Sequence, residues 1–230
     1  MKNPIQKQDI PEFARRTLKH LLHRSGEVIY TSHETLSKGD IYLLGLNPGM
    51  GDFTTIGSHI DRMLSRTKNS YLDEDWDKQK DEAIPDPKLV PLQKRVISLL
   101  DSLGYDARNV CASNLIFTTT TSADELCFGL AGLCWPVHEA VLELVKPKIL
   151  LVFGNGETVS PYAFLKALFC PAENDFTFCD SGHGDWKCKG FYAEINGRRT
   201  FVAGLPHLSW YSPIGRTEVI DWIRRGIAGV

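Results

Sequence analysis

Two short apolar runs, each ending in a polar loop, constrain this chain more than any other feature. Ile41-Tyr42-Leu43-Leu44 leads into Gly45-Leu46-Asn47-Pro48-Gly49, and Thr200-Phe201-Val202-Ala203-Gly204 leads into Leu205-Pro206-His207-Leu208-Ser209. Each reads as a buried strand delivering a loop at its carboxyl end, where open α/β sheets hold their ligands. The loops are far apart in sequence, yet neighbouring strands would point both into one crevice. An Asn and a His brought together there suit a positioned water at one end of a site and a stabilised oxyanion at the other.

The rest of the chain alternates helices with strands. Residues 11–25 have helical spacing at Ala14, Leu18, Leu21 and Leu22, with Pro11 in the first turn and Gly26 as a stop. Leu89 to Leu103 repeats that spacing and ends at Gly104, a C-cap candidate. A strand at 109–116 runs into Phe117 and the threonines Thr118 to Thr121. A helix at 134–146, a strand at 148–154 and a helix at 159–169 follow. Asn196-Gly197 between two strand-like runs, 191–195 and 198–202, predicts a tight hairpin. Thr217 to Ile227 predicts an amphipathic helix. This order predicts an α/β fold, a three-layer αβα sandwich around a mostly parallel sheet.

At 230 residues, one domain over 1–230 is expected, with a helical extension at 1–38. The acidic, Pro-punctuated stretch at 70–88 reads as a charged surface insertion. No apolar run approaches a membrane span and the N-terminus lacks a signal-peptide core, so a cytoplasmic protein without membrane association is expected. The net charge of −2 argues against a protein that coats nucleic acid non-specifically, but permits a local basic patch. Arg62, Arg66, Lys68 and Arg216 are its candidates, with a solvated face as the other reading.

Six cysteines in such a chain are expected to be reduced. Cys111, Cys127 and Cys134 read as core. Cys170, Cys179, His183 and Cys188 are zinc-competent residue types lying close together, but their spacing matches no common finger and no C-x-x-C occurs. The expectation is no metal.

Gly45-Leu46-Asn47-Pro48-Gly49 resembles the first motif of the uracil-DNA glycosylase superfamily, particularly its mismatch-specific branch. Leu205-Pro206-His207-Leu208-Ser209 resembles the second. Between them, Val110-Cys111-Ala112-Ser113-Asn114-Leu115-Ile116 resembles the strand with a base-reading Asn, and residues 145–154 resemble the later helix-to-strand passage ending in Gly154. The four motifs occur in the family's order over roughly residues 40 to 225.

The resemblance implies excision of uracil or a related modified pyrimidine from DNA containing a damaged or mismatched base. The protein would act as a monomer and without a cofactor. A glycosylase flips its nucleotide into a pocket before cutting the base–sugar bond. His207 would donate to the carbonyl oxygen that gains charge as the base departs. On position alone it could equally be a satisfied histidine at a strand end. Asn47 would orient the attacking water, since an amide cannot serve as a general base. Its bland alternative is a simple Asn-Pro-Gly turn.

Asn114 would read the base edge through its donor and acceptor, or merely close its strand. Phe53 or Phe117 would stack on the base. Gly49 stands where the uracil-strict branch has a bulky Tyr, which implies tolerance of 5-substituted pyrimidines. Ser209, Trp210, Tyr211 and Arg216 are the candidate DNA contacts, with Trp210 and Tyr211 either wedging into the stack or capping the core.

One departure stands out. Leu208 replaces the Pro usual after the family's His, removing a backbone restriction. A second reading is therefore a glycosylase-like domain that has lost excision and binds a base, nucleotide or protein partner.

Overall fold

The computed structural model describes residues 5–49, 54–76, 89–122 and 125–230. Its centre is a six-stranded sheet of β1 (Ile41–Gly45), β2 (Cys111–Asn114), β3 (Ile149–Phe153), β4 (Phe176–Asp180), β5 (Lys187–Ile195) and β6 (Arg198–Leu205). The strand order is β2-β1-β3-β6-β5-β4. The first four in that order are mutually parallel; β5 pairs antiparallel with β6, and β4 antiparallel with β5. Every residue of β1, β2 and β3 is buried, which is why these strands read as continuous apolar runs.

Helices cover both faces. On one side α1 (Ile10–Thr17), α5 (Leu130–Val145) and α6 (Pro161–Phe169) pack with Tyr42, Leu44, Leu150, Val152 and Val202. On the other, α4 (Pro91–Leu103) and α7 (Thr217–Ala228) pack with Ile41, Leu43, Ala112, Leu151, Phe153, Phe201 and Leu205. Two short helices, α2 (Ile56–Arg62) and α3 (Ser70–Asp73), lie between β1 and α4 in sequence. Among the described residues no helix is long and apolar enough to cross a membrane.

Local chemistry accounts for the helix ends. Pro91 opens α4, where a missing N–H costs nothing, and Gly104 closes it in the left-handed region at φ 86°. Ser160 caps α6 by accepting from the Ala163 amide at 3.0 Å. The hairpin between β5 and β6 turns on Asn196 (φ 51°) and Gly197 (φ 72°), the two left-handed residues of a type I′ turn.

Several expectations change. The helix expected at 11–25 stops at Thr17, and Leu18 and Leu21 reach the core from turns. The expected extension at 1–38 is integral: Ile10 and Ala14 are wholly buried, and residues 25–31 run along the outer side of β2. Ser113 Oγ donates to Val28 O at 2.6 Å, fixing that segment. The expected surface insertion at 70–88 begins inside the core, because Ser70 and Tyr71 are buried in α3; residues 77–88 lie outside the described ones. Cys127, expected in the core, is exposed. The helix expected from 134 begins at Leu130 and carries Pro136 within it.

Candidate functional site

Strand register assembles the site. Gly45 pairs with Asn114 on one side. On the other, Leu44 pairs with Val152, which sets Gly45 level with Phe153, and Phe153 pairs with Leu205. Asn114, Gly45, Phe153 and Leu205 are thus the last rung of the parallel sheet. Because side chains alternate, they face the same side, that of α4 and α7. Asn47 and His207 each lie two residues further on. Their strands, β1 and β6, are separated by β3 alone, so their backbones stand about 10 Å apart. The strand order changes direction at β1, and this end of such a sheet is where a crevice opens.

The polar side chains lean toward one another. A Cβ on Gly45 would sit 2.1 Å from Asn114 Oδ1 and 2.8 Å from Phe153 Cζ. Only glycine therefore lets the Asn114 amide lie across β1 against the Phe153 ring. From the other side, the His207 ring meets Phe153 edge-on at 5.6 Å between centroids. His207 Cδ2 also lies 3.8 Å from where a Cβ on Gly154 would be. Asn114 reaches over β1 and His207 over β3, with the Phe153 ring between them.

The protonation state of His207 follows from its bonds. The Ser209 amide donates to Nδ1 at 3.2 Å, so the proton of the neutral ring sits on Nε2. Burial pushes the imidazole below its usual pKa. The result at neutral pH is an uncharged ring with an N–H donor at Nε2, which is uncommitted among the described residues.

Leu208 answers the missing proline. Its side chain is wholly buried beneath α4 and α7. One guanidinium nitrogen of Arg95 donates to the Leu208 and Ser209 carbonyls, each at 2.7 Å. The Trp210 and Tyr211 amides both donate to His207 O, at 2.9 and 3.0 Å. Side-chain burial and an arginine clamp thus restrict this loop without a pyrrolidine ring.

Asn47 is half-buried, and its Nδ2 donates to Thr120 Oγ1 at 3.0 Å and to Pro48 O at 2.9 Å. With the amide hydrogens engaged, Oδ1 is left to accept from water. Gly49 is exposed, and a Cβ there would meet nothing within 4 Å among the described residues. Beneath the β2 end, His138 accepts from Tyr42 Oη at 2.8 Å and donates to Leu115 O at 3.2 Å. Burial drives this histidine down to about 4, so it stays neutral.

The expected residues separate into groups. Asn47, Asn114, Gly49 and His207 come to one end of the sheet. Trp210 is 76% exposed and Ser209 is exposed, so both can meet a ligand beside His207, whereas the exposed Arg216 lies at the start of α7 with its side chain against Gly182. Tyr211 cannot: it is wholly buried and donates to Ser181 O at 3.0 Å, so it caps the core. Phe117 is also in the core, packed on His138 at 4.8 Å. Phe53 lies outside the described residues. Arg66 is no phosphate ligand, since its guanidinium is tied to Glu27 at 2.8 Å and Glu74 at 2.9 Å.

Cys170 caps α6 and is exposed, whereas Cys179 and Cys188 pair across β4 and β5. His183 stacks on Trp186. Among the described residues no group of three or more His, Cys, Asp or Glu side chains is placed to hold a metal.

Sequence reasoning missed three contributors. Phe153 was legible as the last residue of its strand, on the same face as Asn114. Thr120 lay within a marked threonine run. Arg95 gave no signal, because its partners are 113 and 114 residues away. No protein-family model matches the chain, and no curated protein matches it significantly.

Proposed function

We propose that this protein is a monofunctional DNA N-glycosylase of the uracil-DNA glycosylase type, hydrolysing the bond between deoxyribose and uracil or a related modified pyrimidine. The observation that carries this reading is the convergence of Asn114 and a neutral, Nε2-protonated His207 over Gly45 and Phe153. In this reading a flipped pyrimidine presents one carbonyl to His207 and its hydrogen-bonding edge to the Asn114 amide, beside the Phe153 ring.

As the glycosidic bond lengthens, negative charge collects on the base and positive charge on the sugar. His207 Nε2–H donates to the base oxygen where charge gathers, and its loop is fixed beforehand by Leu208 and Arg95. A donor placed in advance pays no reorganisation at the moment of reaction. Asn47, held by Thr120, offers Oδ1 to a water on the sugar side. The water's proton must leave to solvent, since an amide has no useful basicity at neutral pH. A slow enzyme follows from that arrangement. No lysine belongs to the described site, in keeping with direct hydrolysis rather than a Schiff base.

Labelled oligonucleotides with uracil opposite G, uracil opposite A, single-stranded uracil and thymine opposite G test the proposal. Alkali-labile abasic product from at least one of them is expected. A folded protein that releases no base from any of them supports the binding-only reading instead.

A further inference from the structure

Two of the cations expected to meet phosphates are engaged elsewhere. Arg66 is tied to Glu27 and Glu74, and Arg216 lies against Gly182. Residues 15–26 hold a larger reserve of charge: Arg15, Arg16, Lys19 and Arg24, with His20 and His23, and no Asp or Glu, in a chain whose net charge is −2.

Local structure turns most of these side chains outward. Beyond α1 the chain continues in turns, with the Leu21 amide donating to Leu18 O at 2.7 Å and the Arg24 amide to Leu21 O at 2.9 Å. Leu18 and Leu21 are buried, which leaves Lys19, His20, His23 and Arg24 exposed, as Arg16 is on α1. The backbone is fixed from the side, because the Ile56 and Gly57 amides of α2 donate to Arg24 O and Leu22 O, each at 2.9 Å. Arg15 is paired with Asp61, and the Arg16 guanidinium lies 5.9 Å over the Phe13 ring. Among the described residues no carboxylate pairs with Arg16, Lys19, His20, His23 or Arg24. Arg62 extends the strip: its guanidinium bonds only the neutral Thr54 Oγ1 and Ser58 O, at 3.1 and 3.2 Å, and Thr54 O accepts from the Gly26 amide.

The strip starts at the site. Ser25 O accepts from the Thr119 amide at 3.0 Å, and the next residue, Thr120, accepts from Asn47 Nδ2 at 3.0 Å. Arg24 therefore stands beside the loop that braces Asn47, and the other cations lead away from it. The flank next to β6 is different. There Lys187 is paired with Asp180 at 2.7 Å and Lys189 with Glu157. A cation without a carboxylate gains more from a phosphate, since no partner has to be displaced, and each neutralised phosphate releases counterions. We propose that Arg16, Lys19, His20, His23 and Arg24, with Arg62, form a docking strip for the DNA backbone on one flank of the excised nucleotide. The footprint is then lopsided, long on the β2 side and short on the β6 side. The inference rests on the glycosylase reading and names the surface that holds the rest of its substrate.

Fluorescence anisotropy with single-stranded oligonucleotides tests this. Each probe carries one 2′-fluorinated deoxyuridine, because the fluorine disfavours the cationic sugar and uncouples binding from excision. One probe has long flanks on both sides; in two others the 5′ or the 3′ flank is cut to a single nucleotide. The native protein is expected to lose about tenfold in affinity when one flank is cut and little when the other is. Arg16→Gln, Lys19→Gln and Arg24→Gln combined should bind the full probe as weakly as the native protein binds the probe lacking the sensitive flank. The slope of log Kd against log salt should fall by about 2, since each single-strand phosphate contact contributes about 0.7. Arg24→Gln alone should lower it by about 0.7 and decides the matter if the combined variant does not fold. Lys148→Gln, which removes a charge at the opposite end of β3, should change neither reading.

Equal losses from cutting either flank, in a native protein that binds and excises uracil, overturn the inference alone. So does a folded combined variant with native affinity and salt slope, even if it no longer binds vesicles of anionic phospholipid, which would make the strip a membrane contact. Failure of the native protein to bind any probe, together with no excision, overturns the glycosylase reading as well.

Discussion

The loop after β1 and the loop after β6 sit at the same end of one sheet, yet they are held by different means. The β6 loop is anchored from below by the wholly buried Leu208 and from the side by Arg95, which bonds two of its carbonyls. The β1 loop has Asn47 half-buried, Gly49 exposed, and Thr120 as the side-chain partner of Asn47. A group that answers developing charge must be fixed before the charge appears, or its reorganisation is added to the barrier. A group that orients water can tolerate more freedom. The two loops divide along that line in the proposed reaction.

The sharpest way to break the comparison is Leu208→Ala. If burial of this side chain is what fixes the β6 loop, the substitution should lower unfolding stability by about 2–5 kcal/mol, as read by urea titration. A loss well below that range would mean the loop is held by Arg95 alone.

Acid should act on the other side of the sheet. His138 joins Tyr42 of β1 to the carbonyl after Asn114, and its folded pKa is about 4 against an ordinary 6.5. The unfolded chain therefore binds the proton more readily, and stability is lost as pH falls from 6.5 to 4. The integrated loss is on the order of 3 kcal/mol. Urea midpoints measured across that range check it, and His138→Phe should flatten this part of the profile.

Arg95→Met keeps the aliphatic stem but releases two carbonyls. Loss of hydrogen bonds from a charged donor should slow single-turnover excision by about tenfold. Thr120→Val removes one neutral bond to Asn47, and its effect should be smaller, roughly twofold to tenfold. If Thr120→Val slows the reaction more than Arg95→Met, the assignment of the rigid and tolerant loops is reversed.

Much of this arrangement was legible from residue order. The buried parallel strands announce themselves as apolar runs because both of their faces are covered, and Asn196-Gly197 fixes its hairpin because both residues must be left-handed. The edge strand β4 gave no such signal, since none of Phe176–Asp180 is fully buried. Trp210 and Tyr211 are neighbours with the same chemistry, yet one is 76% exposed and the other buried. Which of them faces inward depends on the turn that follows His207, and composition cannot show that phase. Arg66 has the look of a surface cation, but its partner Glu27 lies in a segment brought beside it by pairing with β2. Thr120 and Asn47 are likewise joined across 73 residues. Local pattern reveals the strands and their loops, whereas the braces behind the loops are long-range pairings.

The central claim is that Asn47 and His207 serve one transition state from opposite sides of a bound nucleotide. A double-mutant cycle on single-turnover uracil release tests it most directly, using the native protein, Asn47→Ala, His207→Ala and the pair together. His207→Ala is expected to cost about 10²–10³ in rate. Asn47→Ala should cost a comparable amount, and the double variant should fall little below the worse single one, because residues acting as a unit are not additive. Uracil release undiminished in either single variant would contradict the account.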